Sequence, residues 1–129
     1  MSSVAAVIKN LEGDFLLGKK NHNSNSLLAG QGHIPGGHIE PGESDEQALT
    51  REILEEAGLK IIVGKYWCSS LSPNSKSEVR WYECTSESRD AVAGSDLVSV
   101  QWVPRGAVKY RCSPQAISLW PSEIRDYFA

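Results

Sequence analysis

Four ionisable residues lie close together near the middle of the chain: Arg51, Glu52, Glu55 and Glu56. In a helix, at about 100° per residue, the three carboxylates share an arc of about 100°. Carboxylates this close raise each other's pKa values unless a positive charge lies among them. A hard divalent cation such as Mg²⁺, which prefers oxygen ligands, would supply that charge. The alternative is a solvated acidic face on which Arg51 makes ordinary surface ion pairs.

Capping residues predict that this segment is a helix from Asp45 to Ala57. Ser44 is a suitable N-cap, and Gln47 lies three residues later, as a capping box requires. At the other end, Gly58 can adopt the left-handed conformation of a C-terminal cap, and Leu59 can supply the hydrophobic contact that follows it. The helix therefore has a defined start and a defined stop.

The apolar residues of this helix predict which side faces the core. They fall on one arc, separate from the arc of the carboxylates: Leu49, Ile53, Leu54 and Ala57. A stripe of this kind packs against the rest of the protein. We therefore expect the three carboxylates to point away from the deepest part of the core.

The wider pattern is G-x5-E-x7-R-E-U-x-E-E-x-G-U, where U is a bulky aliphatic residue, and it spans residues 37–59. Every specified position matches: Gly37, Glu43, Arg51, Glu52, Ile53, Glu55, Glu56, Gly58 and Leu59. This stretch resembles the signature of the Nudix hydrolase family, whose members hydrolyse a nucleoside diphosphate linked to another group. The motif covers less than a fifth of the chain, but it is highly specific.

The resemblance implies a role for each matching residue. The metal ligands would be three carboxylates and one loop carbonyl, namely those of Glu52, Glu55, Glu56 and Gly36. Glu52 would also take part in activating water, and Arg51 would orient it. Glu43 would brace the junction of loop and helix. The cofactor would be Mg²⁺, with Mn²⁺ as a substitute.

The rest of the chain is rich in strands and has a helical C-terminus. Strands are predicted at 3–9, 15–20, 60–68, 78–85 and 98–104, a broken strand at 33–39, and helices from 114 and over 121–128. Residues 21–32 and 69–77 are predicted loops, and the first two strands a hairpin. The resemblance adds the expectation of one α/β domain over residues 1–129, with a mixed sheet in an α/β/α sandwich.

Composition excludes several classes of function. The net charge of −3 provides no basic surface for a nucleic acid, and no apolar run approaches the length of a membrane span. Three cysteines without CxxC spacing, Cys68, Cys84 and Cys112, argue against a disulfide framework or zinc site, and favour the cytoplasm. We expect a small-molecule nucleotide as partner. The sequence allows a homodimer without indicating one.

Substrate-binding candidates outside the motif are fewer and weaker. Lys20, at a strand end, could contact phosphate or base, or be a solvated lysine. Family members frequently have Trp-x-x-Pro-Gly-Gly where this chain has Gly32-His33-Ile34 before Pro35, and His33 lies near the expected substrate wall. It and His38 could bind metal, although polar loop roles are more common. Trp120 resembles a base-contacting tryptophan of some relatives.

Other aromatic residues could also stack on a base: Trp67, Trp81 and Tyr82. Each of these, like Trp120, is more often a packing residue. Some relatives use an additional carboxylate before the tryptophan of the last strand, where this chain has Gln101. Substitutes for that carboxylate are Glu83, Glu87 and Asp96, and the sequence does not separate them.

Three functions compete at this point. The first is Mg²⁺-dependent hydrolysis of a nucleoside triphosphate, MutT-like, to a monophosphate and pyrophosphate, which the small size of the chain favours. The second is cleavage of ADP-ribose or another nucleotide sugar, of which Pro73 is a weak indication. The third is a non-catalytic module that binds a nucleotide. The three retained motif glutamates argue against the third.

Overall fold

The computed structural model describes residues 2–20, 32–71, 77–95 and 97–129. The strands are β1 Ser3–Lys9, β2 Asp14–Lys20, β3 Gly32–His33, β4 Gly36–His38, β5 Ile62–Leu71, β6 Glu78–Thr85 and β7 Leu97–Pro104. The helices are α1 Asp45–Ala57, α2 Val108–Arg111, α3 Pro114–Ser118 and α4 Ser122–Tyr127, with a 3-10 turn at Arg105–Ala107 before α2. None of the helices in the described ranges is long and apolar enough to cross a membrane.

The strands form one mixed sheet in the order β3-β2-β1-β6-β5, with β4 also paired to β1 and β7 to β2. β1 runs parallel to β6 along its whole length, from Ser3 opposite Val79 to Lys9 opposite Thr85. β2 runs antiparallel to β7. The predicted hairpin of β1 and β2 exists but is short, with Lys9 paired to Phe15. The expected mixed sheet is confirmed.

Layers of helix cover both faces of this sheet, because successive residues of a strand point to opposite sides. On β1, Val4, Ala6 and Ile8 are buried in one hydrophobic cluster, which includes the apolar residues of α1. Ala5 and Val7 are buried in a second cluster, which includes α3 and α4. The predicted α/β/α sandwich is therefore confirmed, with β1 in its centre.

The caps of α1 follow the prediction at both ends. The backbone N–H of Gln47 donates to Ser44 Oγ at 3.1 Å, and the N–H of Ser44 donates to Gln47 Oε1 at 2.9 Å. Gly58 has a φ of 66°, in the left-handed region, and its N–H donates to the carbonyl of Leu54. Leu59 is buried after it. Local capping chemistry thus sets the length of the helix.

The predicted faces of α1 need one correction. Leu54 was expected in the core but is 50% exposed, and Glu56 was expected outside but is only 3% exposed. The helix does not lie on the sheet alone. On its Glu56 side, Lys20 from the end of β2 approaches the carboxylate. The core-facing stripe is therefore formed by Ala48, Leu49, Ile53 and Ala57.

Some element boundaries also differ from the prediction. β5 begins at Ile62 and continues to Leu71, through residues predicted to form a loop, because Ser69 to Leu71 pair with Arg80 to Glu78 on β6. The helical turns over 105–111 were not predicted. Residues 21–31 and 72–76, which contain most of the two predicted loops and Pro73, lie outside the described residues. The three cysteines are free and buried.

A charged contact fastens the start of α1 to the sheet. Arg80 on β6 donates two hydrogen bonds of 2.6 Å to the carboxylate of Asp45, the first residue of α1. Tyr82 Oη donates to the same carboxylate at 2.5 Å. The hydrogen bonds from Arg80 are the main reason why the pKa of Asp45 is lowered from its ordinary 3.8. The contact therefore stabilises the fold while Asp45 is ionised.

Replacing Arg80 by methionine should make stability less dependent on pH in the acidic range. A lowered folded-state pKa contributes stability above the unfolded pKa and loses it as the pH falls through the folded pKa. We expect R80M to lose about 1–2 kcal/mol of unfolding free energy at pH 7. This difference from the parent should shrink between pH 5 and pH 3. Urea unfolding at pH 7, 5 and 3 measures it.

The control is K65M, which removes an exposed lysine of the neighbouring strand β5. It should follow the parent protein at all three pH values. Equal losses for R80M at pH 7 and at pH 3 would contradict the assignment of the effect to the ionised Asp45.

Candidate active site

Arg51 connects three of the four glutamates that the motif specifies with one another. Its Nε and Nη2 donate to the two carboxylate oxygens of Glu43 at 2.7 and 2.9 Å. Its Nη1 donates to Glu52 Oε1 at 2.9 Å and lies 3.6 Å from Glu55 Oε2. Its Nη2 also donates to the carbonyl of His38 at 3.1 Å. One planar guanidinium thus joins the loop before α1 to the middle of the helix.

This arrangement gives the two bonded glutamates different acidities. The hydrogen bonds from Arg51 lower the pKa of Glu43 to about 2, so Glu43 remains ionised. Burial raises the pKa of Glu52 above its ordinary value, although Arg51 opposes the shift. A carboxylate with a raised pKa is a better proton acceptor near neutral pH. The two glutamates that share Arg51 thus have pKa values shifted in opposite directions, Glu43 by its hydrogen bonds and Glu52 by its burial.

Two glycines of β4 bring backbone close to Glu52. Gly36 pairs with Ala5 of β1 so tightly that a Cβ at position 36 would overlap the carbonyl of Val4. A Cβ at Gly37 would overlap the carboxyl group of Glu52 itself. The double glycine thus leaves a space that the Glu52 carboxylate fills. Gly36, the expected carbonyl ligand, directly precedes Gly37 in the same strand.

Lys20 contributes a second positive charge from the other side. It lies at the end of β2, and its Nζ is 3.7 Å from Glu56 Oε2. The Lys20 side chain is 15% exposed and that of Glu56 is 4% exposed. Its charge also acts on Glu52. Lys20 is therefore part of the acidic cluster and is not a solvated lysine at a strand end.

The residues fit a divalent cation by their chemistry. All the acidic candidates offer oxygen atoms, as Mg²⁺ requires, and they project from adjacent turns of a single helix. Across the described residues, however, no three Asp, Glu, His or Cys side chains are gathered into a ready group of metal ligands. Arg51 and Lys20 approach the carboxylates instead. The set is thus chemically suitable, with cationic side chains next to its oxygens.

The structure places the other predicted residues in different environments. His33 is 4% exposed, on β3, and the exposed His38 bonds through Nδ1 to Ser3 Oγ at 3.0 Å. Trp120 is 5% exposed and packs on Phe128 with 5.7 Å between ring centroids. Its face thus lies in the C-terminal hydrophobic core and is not presented to the acidic cluster.

The remaining aromatic candidates also have packing roles. Trp67 contacts the ring of Tyr127 edge-on at 4.9 Å, and Trp81 is buried and donates to Ser70 Oγ at 3.1 Å. Tyr82 bonds to Asp45, as described above. No stacking surface for a base is therefore assigned to these three residues.

The described candidates for an additional carboxylate lie at the protein surface. Glu83 and Glu87 are both exposed, and so is Gln101 on β7. Asp96 lies outside the described residues.

Sequence reasoning missed two contributors to the site. The carbonyl of His38 accepts a hydrogen bond from Arg51, which a pattern of side chains cannot reveal. Glu40 donates its backbone N–H to Glu43 Oε1 at 2.9 Å and places its carboxylate 3.8 Å from Arg51. The signal for Glu40 is its position three residues before Glu43 in a Pro-Gly turn, which brings the two residues together.

Comparison with solved structures agrees with this fold. A MutT protein from Methanosarcina mazei superposes with a TM-score of 0.72 at 26% identity, over 99% of this chain and 89% of that one. The solution structure of the Escherichia coli ORF135 protein superposes with a TM-score of 0.64 at 26% identity, over 98% of this chain and 84% of that one. The sandwich and its acidic helix thus define a protein of the MutT and Nudix structural class.

The sequence comparisons are more specific. The NUDIX domain family matches residues 1–123, so the chain belongs to the NUDIX domain family. The nucleoside triphosphatase NudI of Escherichia fergusonii is 31% identical over an alignment of 121 positions, which covers 83% of this chain and 84% of that protein. The CTP pyrophosphohydrolase of Escherichia coli K12 is 41% identical over 69 residues. That second match covers 54% of this chain and spans about half the length of the relative.

Replacing Gly37 by alanine should impair catalysis more than folding. The added Cβ overlaps the end of the Glu52 side chain, which can move away, so the cost in stability is small. The carboxylate would nevertheless leave its place, and a displacement of about 1 Å can cost about 100-fold in rate. We expect G37A to melt within a few degrees of the parent while kcat for its best nucleotide substrate falls about 100-fold.

The matched control is G106A, whose added Cβ meets nothing within 4 Å. It should retain both the melting temperature and kcat of the parent. If G37A kept the parent's kcat, the space beside Glu52 would have no bearing on the reaction.

Proposed function

We propose that this chain is a Mg²⁺-dependent pyrophosphohydrolase that cleaves nucleoside triphosphates to a monophosphate and pyrophosphate. The observation that carries the proposal is the group of charged contacts around α1. In it, Arg51 bonds Glu43 and Glu52, while Lys20 approaches Glu56. Hydrolases of the family generally use divalent metal ions such as Mg²⁺. The relatives named as a nucleoside triphosphatase and a CTP pyrophosphohydrolase support this substrate class.

The residues that would hold the ion are Glu52, Glu55, Glu56 and the carbonyl of Gly36. Bound there, a divalent ion would join the carboxylates to the substrate's phosphate oxygens and stabilise the charge that develops on them. Without such a link, the negative cluster would repel a triphosphate. The approach of Lys20 to this cluster gives the substrate a second positive contact.

The chain's own groups account for the movement of the proton. Glu52 accepts from Arg51 through Oε1, which leaves Oε2 to accept a proton from a water molecule. The oxygen of that water adds to a phosphorus atom of the α–β bridge, and the bond from this phosphorus to the bridging oxygen breaks. Pyrophosphate and the nucleoside monophosphate leave, and Glu52 gives up its proton to the solvent. Glu43 holds Arg51, and hence Glu52, in position during this step.

The nucleotide-sugar alternative has less support. Its only indication was Pro73, which lies outside the described residues. A non-catalytic binding module would not need Glu52, Glu55 and Glu56 with their cationic partners. Both alternatives are outcomes of the experiment that follows.

A panel of substrates with product identification tests the proposed function. The purified chain, with Mg²⁺, should release pyrophosphate and a monophosphate from at least one common or deoxy nucleoside triphosphate. E56Q should lose at least about 100-fold in kcat, because an amide replaces the charged ligand, and should remain folded. Release of AMP from ADP-ribose, without turnover of triphosphates, would favour the nucleotide-sugar activity. No turnover with Mg²⁺ or Mn²⁺ would favour the binding module.

Replacing Lys20 by methionine should weaken binding of the nucleotide. The ammonium would supply a charge-assisted contact to a phosphate oxygen, and losing one such contact costs about tenfold in KM. The Mg²⁺ concentration for half-maximal activity should not rise, since Lys20 is a cation beside the metal ligands and competes with the ion for them. The control is K19M, which removes the exposed neighbour on the same strand. Equal KM values for K20M and the parent would remove Lys20 from the substrate site.

A further inference from the structure

The C-terminal end of α1 is held by a second segment of the chain. The last carbonyl groups of a helix have no partners within the helix and must be satisfied from outside it. Here Ala57 O accepts a hydrogen bond from Val92 N at 2.9 Å, and Glu56 O accepts one from Gly94 N at 2.9 Å. Residues 91–95 thus run along the helix end, and we name them the capping strap.

The strap approaches the helix so closely that position 94 requires glycine. A Cβ on Gly94 would lie 2.5 Å from the carbonyl oxygen of Glu55, which is closer than real Cβ atoms come to such a group. Both sides of this contact are backbone, so no flexible side chain can move to relieve it. Ser95 follows with a φ of 54°, and Leu97 N donates to Gly94 O at 3.0 Å. A tight turn therefore ends the strap.

The strap leads directly to the strand that positions Lys20. Leu97 is the first residue of β7 and pairs with Lys20 at an irregularity in the register of β2 and β7. Leu97 also packs on Gly18, where a Cβ would lie 2.8 Å from Leu97 Cδ1. Since Lys20 Nζ lies 3.7 Å from Glu56 Oε2, the contacts form a closed ring from α1 through the strap and β7 to Lys20 and back to α1.

We propose that Gly94 is a positioning residue of the active site. By bringing the capping strap against the carbonyls of Glu55 and Glu56, it fixes the last turn of α1 relative to Lys20. The backbone that carries the carboxylates of these two glutamates then keeps a defined separation from the strand end that carries Lys20. This inference rests on the proposed function, because the metal and phosphate roles of these groups belong to it. Gly94 lies outside the motif, and its contacts with the motif residues Glu55 and Glu56 are made to their backbone carbonyls.

The test compares G94A with G106A, whose added methyl group meets nothing within 4 Å. Mn²⁺ affinity is measured without substrate by electron paramagnetic resonance, and kcat, KM and melting temperature are measured separately. We expect G94A to bind Mn²⁺ about tenfold more weakly and to lose about 10- to 100-fold in kcat, with KM changed less than about threefold. G106A should match the parent. A folded G94A with the parent's Mn²⁺ affinity and kcat would overturn the proposal.

Hydrogen–deuterium exchange of the parent protein covers the case in which G94A does not fold. The amides of Val92 and Gly94 should exchange as slowly as those of the last turn of α1, and more slowly still with Mn²⁺ present. Exchange at the rate of an exposed loop, with no response to Mn²⁺, would overturn the proposal.

The readouts also separate this inference from the proposed function. If the parent binds Mn²⁺ but hydrolyses no nucleotide, weaker Mn²⁺ binding by G94A would still support the role of the strap, and only the proposed activity would fail. If the parent is active and G94A is equally active, only the inference fails.

Discussion

The guanidinium of Arg51 is the interaction on which the acidic site depends. Four glutamates, at positions 40, 43, 52 and 55, approach this one group within 4 Å. Without it, burial and mutual repulsion would favour protonation of the more enclosed carboxylates. Its planar fork bonds Glu43 at two points, so it also fixes a direction. Arg51 therefore determines both the charge balance and the geometry of the loop–helix junction.

The helix α1 as a whole also combines two roles. One side of the helix fills the core below the sheet, through Leu49 and Ile53, and another side carries the carboxylates. Three external contacts keep it in place: Arg80 on Asp45 at its start, Arg51 on Glu43 near its middle, and the capping strap at its end. A helix fixed at three points along its length can hold closely spaced charges without reorienting.

Much of this could be predicted from the sequence, because the signals are local. Ser44 and Gln47 define the start of α1, and Gly58 defines its end. The burial of Glu56 and the exposure of Leu54 could not be predicted in this way. A helical projection assumes a single neighbouring surface, whereas Lys20, at the end of β2, lies beside Glu56 on a second side of this helix.

Contacts between residues far apart in the sequence could not be predicted from local patterns either. The parallel pairing of β1 with β6, and the approach of Gly94 to Glu55, join residues without any spacing rule to relate them. For Trp120, the sequence suggested a function that the structure does not support. Its resemblance to a base-contacting tryptophan suggested stacking, whereas its ring packs on Phe128. An aromatic side chain stabilises the fold when its ring is buried, and the packing of α3 and α4 determines that the Trp120 ring is buried.

The cationic residues give a physical reason why the carboxylates can stay close together before any metal binds. Arg51 beside Glu52, and Lys20 beside Glu56, supply positive charge at the oxygens that a divalent ion would use. The two cations differ in what they can do next. Arg51 is tied to Glu43 and to the carbonyl of His38, so it is committed to bracing. Lys20 has a flexible stem and a point charge, which suits it to move from a carboxylate to a phosphate. An ion that took its place at Glu56 would thus release the lysine for the substrate which that ion helps to bind.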